Sequence, residues 1–122
     1  MPQPNSMMKK LVYFLAILLF LTSRYEVQAE KGLASWYGGN HQGRKTSSGE
    51  SFNPKDFTCA SWHYPFGTIL RVSYLDKFVL VRVNDRGPAR RLHRIIDLSE
   101  ASFAALENTR KGLITVTVER IQ

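Results

Sequence analysis

The stretch Asn84–Ser99, NDRGPARRLHRIIDLS, gathers the side chains of this protein best suited to chemistry. It holds two carboxylates, Asp85 and Asp97, four arginines (Arg86, Arg90, Arg91 and Arg94) and His93 around a Gly87-Pro88 turn. A carboxyl group works as a general acid or base near neutral pH when its surroundings raise its pKa from about 4 towards 6 or 7. An ordinary Asp is protonated only to about one part in a thousand at pH 7. Arginines hold carboxylates and phosphates through paired N–H donors. A further carboxylate, Glu50, follows Ser47-Ser48-Gly49 in a polar loop. Two carboxylates that share a groove are the equipment of glycosidic-bond chemistry. The plainer roles are a turn residue bonding its own backbone for Asp85, a solvated loop residue for Glu50, a structural carboxylate paired with Arg94 or Arg86 for Asp97, and a solvated charge run for the arginines.

These groups need a scaffold, and the patterning predicts a mainly β one. Lys31–Tyr37 reads as an aromatic-rich first strand, broken by Gly38-Gly39-Asn40. The polar segment from Asn40 to Asp56 is a long loop, and such loops in compact domains usually carry function. Phe57–Trp62 is an apolar patch, closed by the turn at Tyr64–Gly67. Thr68–Tyr74 alternates with period two, as does Leu113–Arg120. Phe78–Val83 is the most apolar strand. Val79, Val81 and Val83 share one face, and continued alternation places Asp85 on that inward face. Arg94–Leu98 is a short buried strand, followed by Ser99 as helix N-cap and a helix carrying Phe103 and Leu106, with Gly112 ending the segment. Five or six short strands and one short helix fit a small closed barrel, which removes exposed strand edges.

Residues 1–29 are expected to be a cleaved signal peptide. Lys9-Lys10 precede the apolar run Leu11–Leu21, and Val27-Gln28-Ala29 fits a cleavage site that leaves Glu30 first. The run falls well short of the about 20 apolar residues that span a bilayer, so no membrane anchor is expected after cleavage. No Cys stands near that site for a lipid anchor, and the lone Cys59 excludes an internal disulfide. The domain is then residues 30–122, exported to the periplasm or the cell surface. The net charge of +7 favours anionic partners. No helix-turn-helix, zinc-finger or RNA-reading pattern accompanies it, so nucleic acid is not an expected partner. Cys59 and His63 lack a second pair at zinc spacing, and no metal or cofactor is expected. Trp36, Tyr37, Trp62 and Tyr64 offer flat apolar faces that stack on sugars. Of these Trp36 is assigned to the core, and Tyr37 and Trp62 to a groove.

Five motifs occur in order: ASWYG (34–38), GRKTSSGESFNP (43–54), YPFGT (64–68), RVNDRGP (82–88) and RIIDLS (94–99). Together they resemble the rare lipoprotein A family over essentially all of residues 30–122. The resemblance implies a small six-stranded double-psi β-barrel with one short α-helix, similar in architecture to expansins and to some inverting glycosidases. It also implies a monomer whose partner is the glycan strand of peptidoglycan, and an endolytic transglycosylase activity that leaves 1,6-anhydro ends. By position the family's catalytic residues fall on Asp85 and Glu50. The family's third functional residue, often a His, falls on Ser61, with His63 two residues on. Tyr37, Trp62, Arg86, Asp97 and Arg94 are the expected substrate contacts. Ser61 in place of His favours the alternative, a non-catalytic, expansin-like module that binds or loosens the wall.

Overall fold

A computed structural model describes residues 3–23 and 28–122. Helix α1 (Ser6–Ser23) occupies the expected leader, with its apolar side chains up to Leu18 exposed. No helix among the described residues is long and apolar enough to cross a membrane. Val27 of the expected cleavage motif lies outside the described residues. Ala29 and Glu30 already belong to the barrel, opposite Glu119 and Val118.

Six strands close into one barrel: β1 (Ala29–Tyr37), β2 (Thr58–Ala60), β3 (Ile69–Tyr74), β4 (Lys77–Asp85), β5 (Ile96–Ser99) and β6 (Ile114–Arg120), arranged in the order β1-β5-β2-β4-β3-β6. The β1–β5 and β2–β4 pairs are parallel and the rest antiparallel. The period-two positions meet inside as expected. Leu70 and Val72, then Val79, Val81 and Val83, then Ile114, Val116 and Val118 form one core with Ala34, Cys59, Ile96 and Leu98. Cys59 fills a fully buried site between Val83 and Leu98. Phe103 and Leu106 join the same buried core, and Trp36 leans on Phe103 while its Nε1 donates to Thr109 O at 2.9 Å.

Helix α2 (Glu100–Ala104) is shorter than the sequence segment up to Gly112 suggests. Ser99 caps its start, accepting from Ser102 N. Asn108 then accepts from Arg110 N through its own side chain and begins a separate 3-10 turn, Thr109–Lys111.

The loop between β1 and β2 is tied down throughout. Gly43 N donates to Phe52 O and Phe52 N to Arg44 O around a Lys45–Ser51 bridge, Ser48 N donates to Asn84 O, and Phe52 is buried. Gly49 holds the tip with φ +93, a conformation that suits glycine.

Candidate functional site

One extra residue in β4 decides where the site forms. Cys59 pairs with Val83 and Ala60 with Asp85, so Asn84 is a bulge. Both Val83 and Asn84 are buried, and the inward alternation stops there. Asp85 therefore does not continue the Val79-Val81-Val83 face, contrary to the simple parity expected from the sequence. It stands opposite Ala60, and Ala60 stands opposite Asp97. Asp97 lies between the core residues Ile96 and Leu98, so this row faces out of the barrel. Ser35 on β1 completes it, giving Asp85, Ala60, Asp97 and Ser35 across four neighbouring strands. Strand spacing puts the two aspartate backbones about 9–10 Å apart.

Three donors from two residues orient Asp85. Its Oδ1 accepts from Ser47 N (2.9 Å), Ser47 Oγ (2.8 Å) and Arg86 N (2.9 Å). The other carboxylate oxygen has no protein partner among the described residues. Asp97 Oδ1 accepts from Ser35 Oγ at 3.0 Å. Burial pushes the Asp97 carboxyl up to about 6, against the opposing pull of the Ser35 hydroxyl and of Arg94 and His41, with the Asp85 charge adding to the rise. At pH 7 such a carboxyl keeps its proton in about one molecule in ten, against about one in a thousand for a free Asp. Tyr37 completes the outer layer. Its ring stacks on Phe52 at 4.5 Å and meets His41 edge-on, and its buried hydroxyl has no partner among the described residues. Burial, reinforced by Asp85 and Asp97, pushes the phenol pKa far up, so the group stays a donor. A cleft of about 560 Å³ at the end of β1 is lined by Tyr37, Gly39, His41 and Glu100 among others.

The remaining expected residues divide. Glu50 is engaged elsewhere: Arg82 donates to it twice, at 2.6 and 3.0 Å, and Asn84 Nδ2 once at 3.2 Å. The Arg82 bonds first, then Asn84, hold its pKa low. Ser61 is buried, its N donating to Asp85 O and its Oγ accepting from His63 N. His63 itself is exposed, and residues 62–64 bend rather than extend, so strand parity does not carry His63 to the Ser61 side. Trp62 is partly exposed and anchored through Nε1 to Pro88 O. Arg86 Nη1 donates to Ser61 O and Tyr64 O, and its guanidinium lies 4.0 Å from the Phe66 ring centroid. Arg94 acts on Asp97 through charge. Tyr37 is packed between Phe52 and His41 rather than presented as an open sugar platform. Sequence reasoning passed over Ser35, Ser47, Asn84 and Arg82. Only the period-two offset of Ser35 from Tyr37 hinted at a shared face. The others meet the site through the loop and the bulge. Among the described residues no three His, Cys, Asp or Glu side chains converge to hold a metal.

A closed six-stranded barrel with two parallel strand pairs and a loop folded over one wall is the architecture of a double-psi β-barrel. The family described as lytic transglycolase matches residues 29–118, and the chain belongs to it. It is 44% identical over 92 residues to the endolytic peptidoglycan transglycosylase RlpA of Campylobacter jejuni, covering 74% of this chain and 33% of that protein. The probable endolytic peptidoglycan transglycosylase RlpA of Aquifex aeolicus is 46% identical over 86 residues, covering 69% and 38%. That of Treponema pallidum is 38% identical over 120 residues, covering 93% and 37%. The chain thus spans little more than a third of the length of these relatives. Among solved structures, the Streptomyces papain inhibitor superposes with a TM-score of 0.66 at 24% identity, covering 78% of this chain and 96% of that one. The apo expansin of Clavibacter michiganensis superposes at 0.64 and 22%, covering 78% and 51%. Both likenesses concern the fold.

Proposed function

We propose that this domain binds peptidoglycan glycan strands along the outer row of Asp85, Ala60 and Asp97, as an exported wall-binding or wall-loosening module. The observation that carries this is the state of the two groups expected to assist Asp85. Glu50 is spent on Arg82 and Asn84, and Ser61 is buried under the His63 amide. Asp85 keeps one carboxylate oxygen and Asp97 its raised pKa, an arrangement that suits hydroxyl-rich ligands. The names of the relatives supply the polymer, peptidoglycan. The leader, residues 1–29, supplies the export.

A second proposal, cleavage, is favoured by the Asp85 carboxylate oxygen that has no protein partner among the described residues and is therefore open to a bound sugar. Asp85 would be the general acid and base. Its carboxyl protonates the bridging oxygen as the 6-hydroxyl oxygen of the muramic acid residue attacks the anomeric carbon, and the bond from that carbon to the bridging oxygen breaks, releasing the next sugar as the free alcohol. The hydroxyl proton passes to the carboxylate. A 1,6-anhydro ring forms and no water is consumed.

Incubation with peptidoglycan separates the two. Pelleting with the wall, without new 1,6-anhydro ends by mass spectrometry, is the expected result. Anhydro ends made by the wild type and lost in Asp85→Asn would establish cleavage instead. A Ser61→His variant that gains activity would locate the missing group.

A further inference from the structure

The outer row reaches Ser35 on β1, and Tyr37 lies two residues further along that strand, about 7 Å away on the same face. The Tyr37 hydroxyl feels the charges of both Asp85 and Asp97, and His41, edge-on to the Tyr37 ring at 5.6 Å, acts on Asp97. Tyr37 and His41 also line the cleft at the end of β1. A glycan strand lying along the row therefore leaves it at Ser35, on the strand that ends in this cleft. We infer that Glu100, in the cleft, is a specificity-determining residue. It selects sugars that carry a 2-acetamido group over sugars that carry a 2-hydroxyl, an inference that rests on the glycan-binding function proposed above.

Glu100 opens α2, is half-buried, and makes no hydrogen bond or ion pair through its side chain among the described residues. A carboxylate only accepts, and a partly buried one without a donor is costly until a ligand supplies it. Gly38 keeps the space in front of it open. A Cβ at that position would lie 2.7 Å from Trp36 Cζ3 and 2.9 Å from Glu100 Oε2. A side chain at 38 would therefore push the indole edge and the carboxylate aside.

An acetamido group matches what surrounds this space. Its N–H is a donor for Glu100. Its carbonyl is an acceptor for the exposed Asn40 amide, which also lines the cleft and makes no side-chain hydrogen bond among the described residues. Its methyl packs on the indole of Trp36, another wall of the cleft. A 2-hydroxyl offers a donor but neither the carbonyl nor the methyl. A site built around a hydrogen-bonding group discriminates against the analogue that lacks it, because its own polar groups are left unpaired.

The test titrates the chain with N-acetylchitohexaose and with cellohexaose, two uncharged hexamers of the same linkage that differ in the 2-substituent. The acetamido hexamer should bind about tenfold tighter, a margin equal to about 1.4 kcal/mol. By NMR it should shift the Gly39 and His41 amides of the wild type, and cellohexaose should leave them in place. Glu100→Ala should erase the margin. Asn40→Ala, on an exposed residue, should lower binding of the acetamido hexamer roughly threefold and serves if the first variant does not fold. Equal binding of the two hexamers by the wild type, or tighter binding of cellohexaose, would overturn the selectivity and leave glycan binding standing. So would a margin unchanged in the variants, or peptide-stripped glycan strands that bind while neither hexamer does. Failure of all three ligands to bind would overturn both proposals.

Discussion

Burial holds the Asp97 carboxyl near 6, while its ordinary value is 3.8. Below pH 3.8 the group is protonated folded and unfolded, and it imposes no penalty. As pH rises through 6 the folded state must carry a buried charge that the unfolded chain carries in water. Stability therefore falls across this window, by up to about 3 kcal/mol at 1.36 kcal/mol per unit. Asp97→Asn keeps the acceptor for Ser35 and should remove the fall. Urea midpoints of both proteins at pH 4 and pH 7 check this, the variant gaining on the wild type only at the higher pH. Glu50→Gln should behave differently. Its pair with Arg82 is solvent-exposed on both sides, so the loss should be about 0–1 kcal/mol by the same melts. Residue types made Asp85, Asp97 and Glu50 visible in the sequence as candidates. Their roles were less visible, because Arg82 and Asn84 claim Glu50 from a strand more than 30 positions away.

Elements were legible wherever periodicity speaks. The alternations at Leu70–Val72, Val79–Val83 and Ile114–Val118 all proved to face the core. The bulge at Asn84 was not legible, since alternation of types does not mark an extra residue. That single insertion moves Asp85 from the inward face to the outer row. The loop over the site was marked by its length and polarity, but not which of its serines would reach Asp85. The junction of β5 and α2 is the element most open to a direct test. Ser99 Oγ donates to Asp56 O at 2.6 Å and accepts from Ser102 N, joining loop, strand and helix at a fully buried point. Ser99→Ala should cost about 1–2 kcal/mol of stability, read from the urea midpoint. Stripped-strand binding at saturating protein should survive, because the row itself is untouched.

At the scale of the molecule, one closed barrel presents two unlike walls. The β1–β5–β2–β4 wall carries the carboxylate row and the basic loop. The β1–β6–β3 wall carries a cleft of about 520 Å³ lined by Lys31, Tyr74, Lys111, Thr115 and Thr117 among others. Order and spacing of five short motifs carried the family from the sequence, whereas the division of the two walls needed the strand order, which no local pattern holds. Export is proposed to remove residues 1–29, and mass spectrometry of the chain recovered outside the cytoplasm should give a species beginning at Glu30. The most direct test of the account is a titration of isotope-labelled protein with peptide-stripped glycan fragments, followed by NMR. Saturable shifts that include the amides of Ala60, Asp85, Arg86, Asp97 and Ser47 are the predicted result. Shifts confined to Thr115 and Thr117 on the far wall, or no shifts at all, would contradict it.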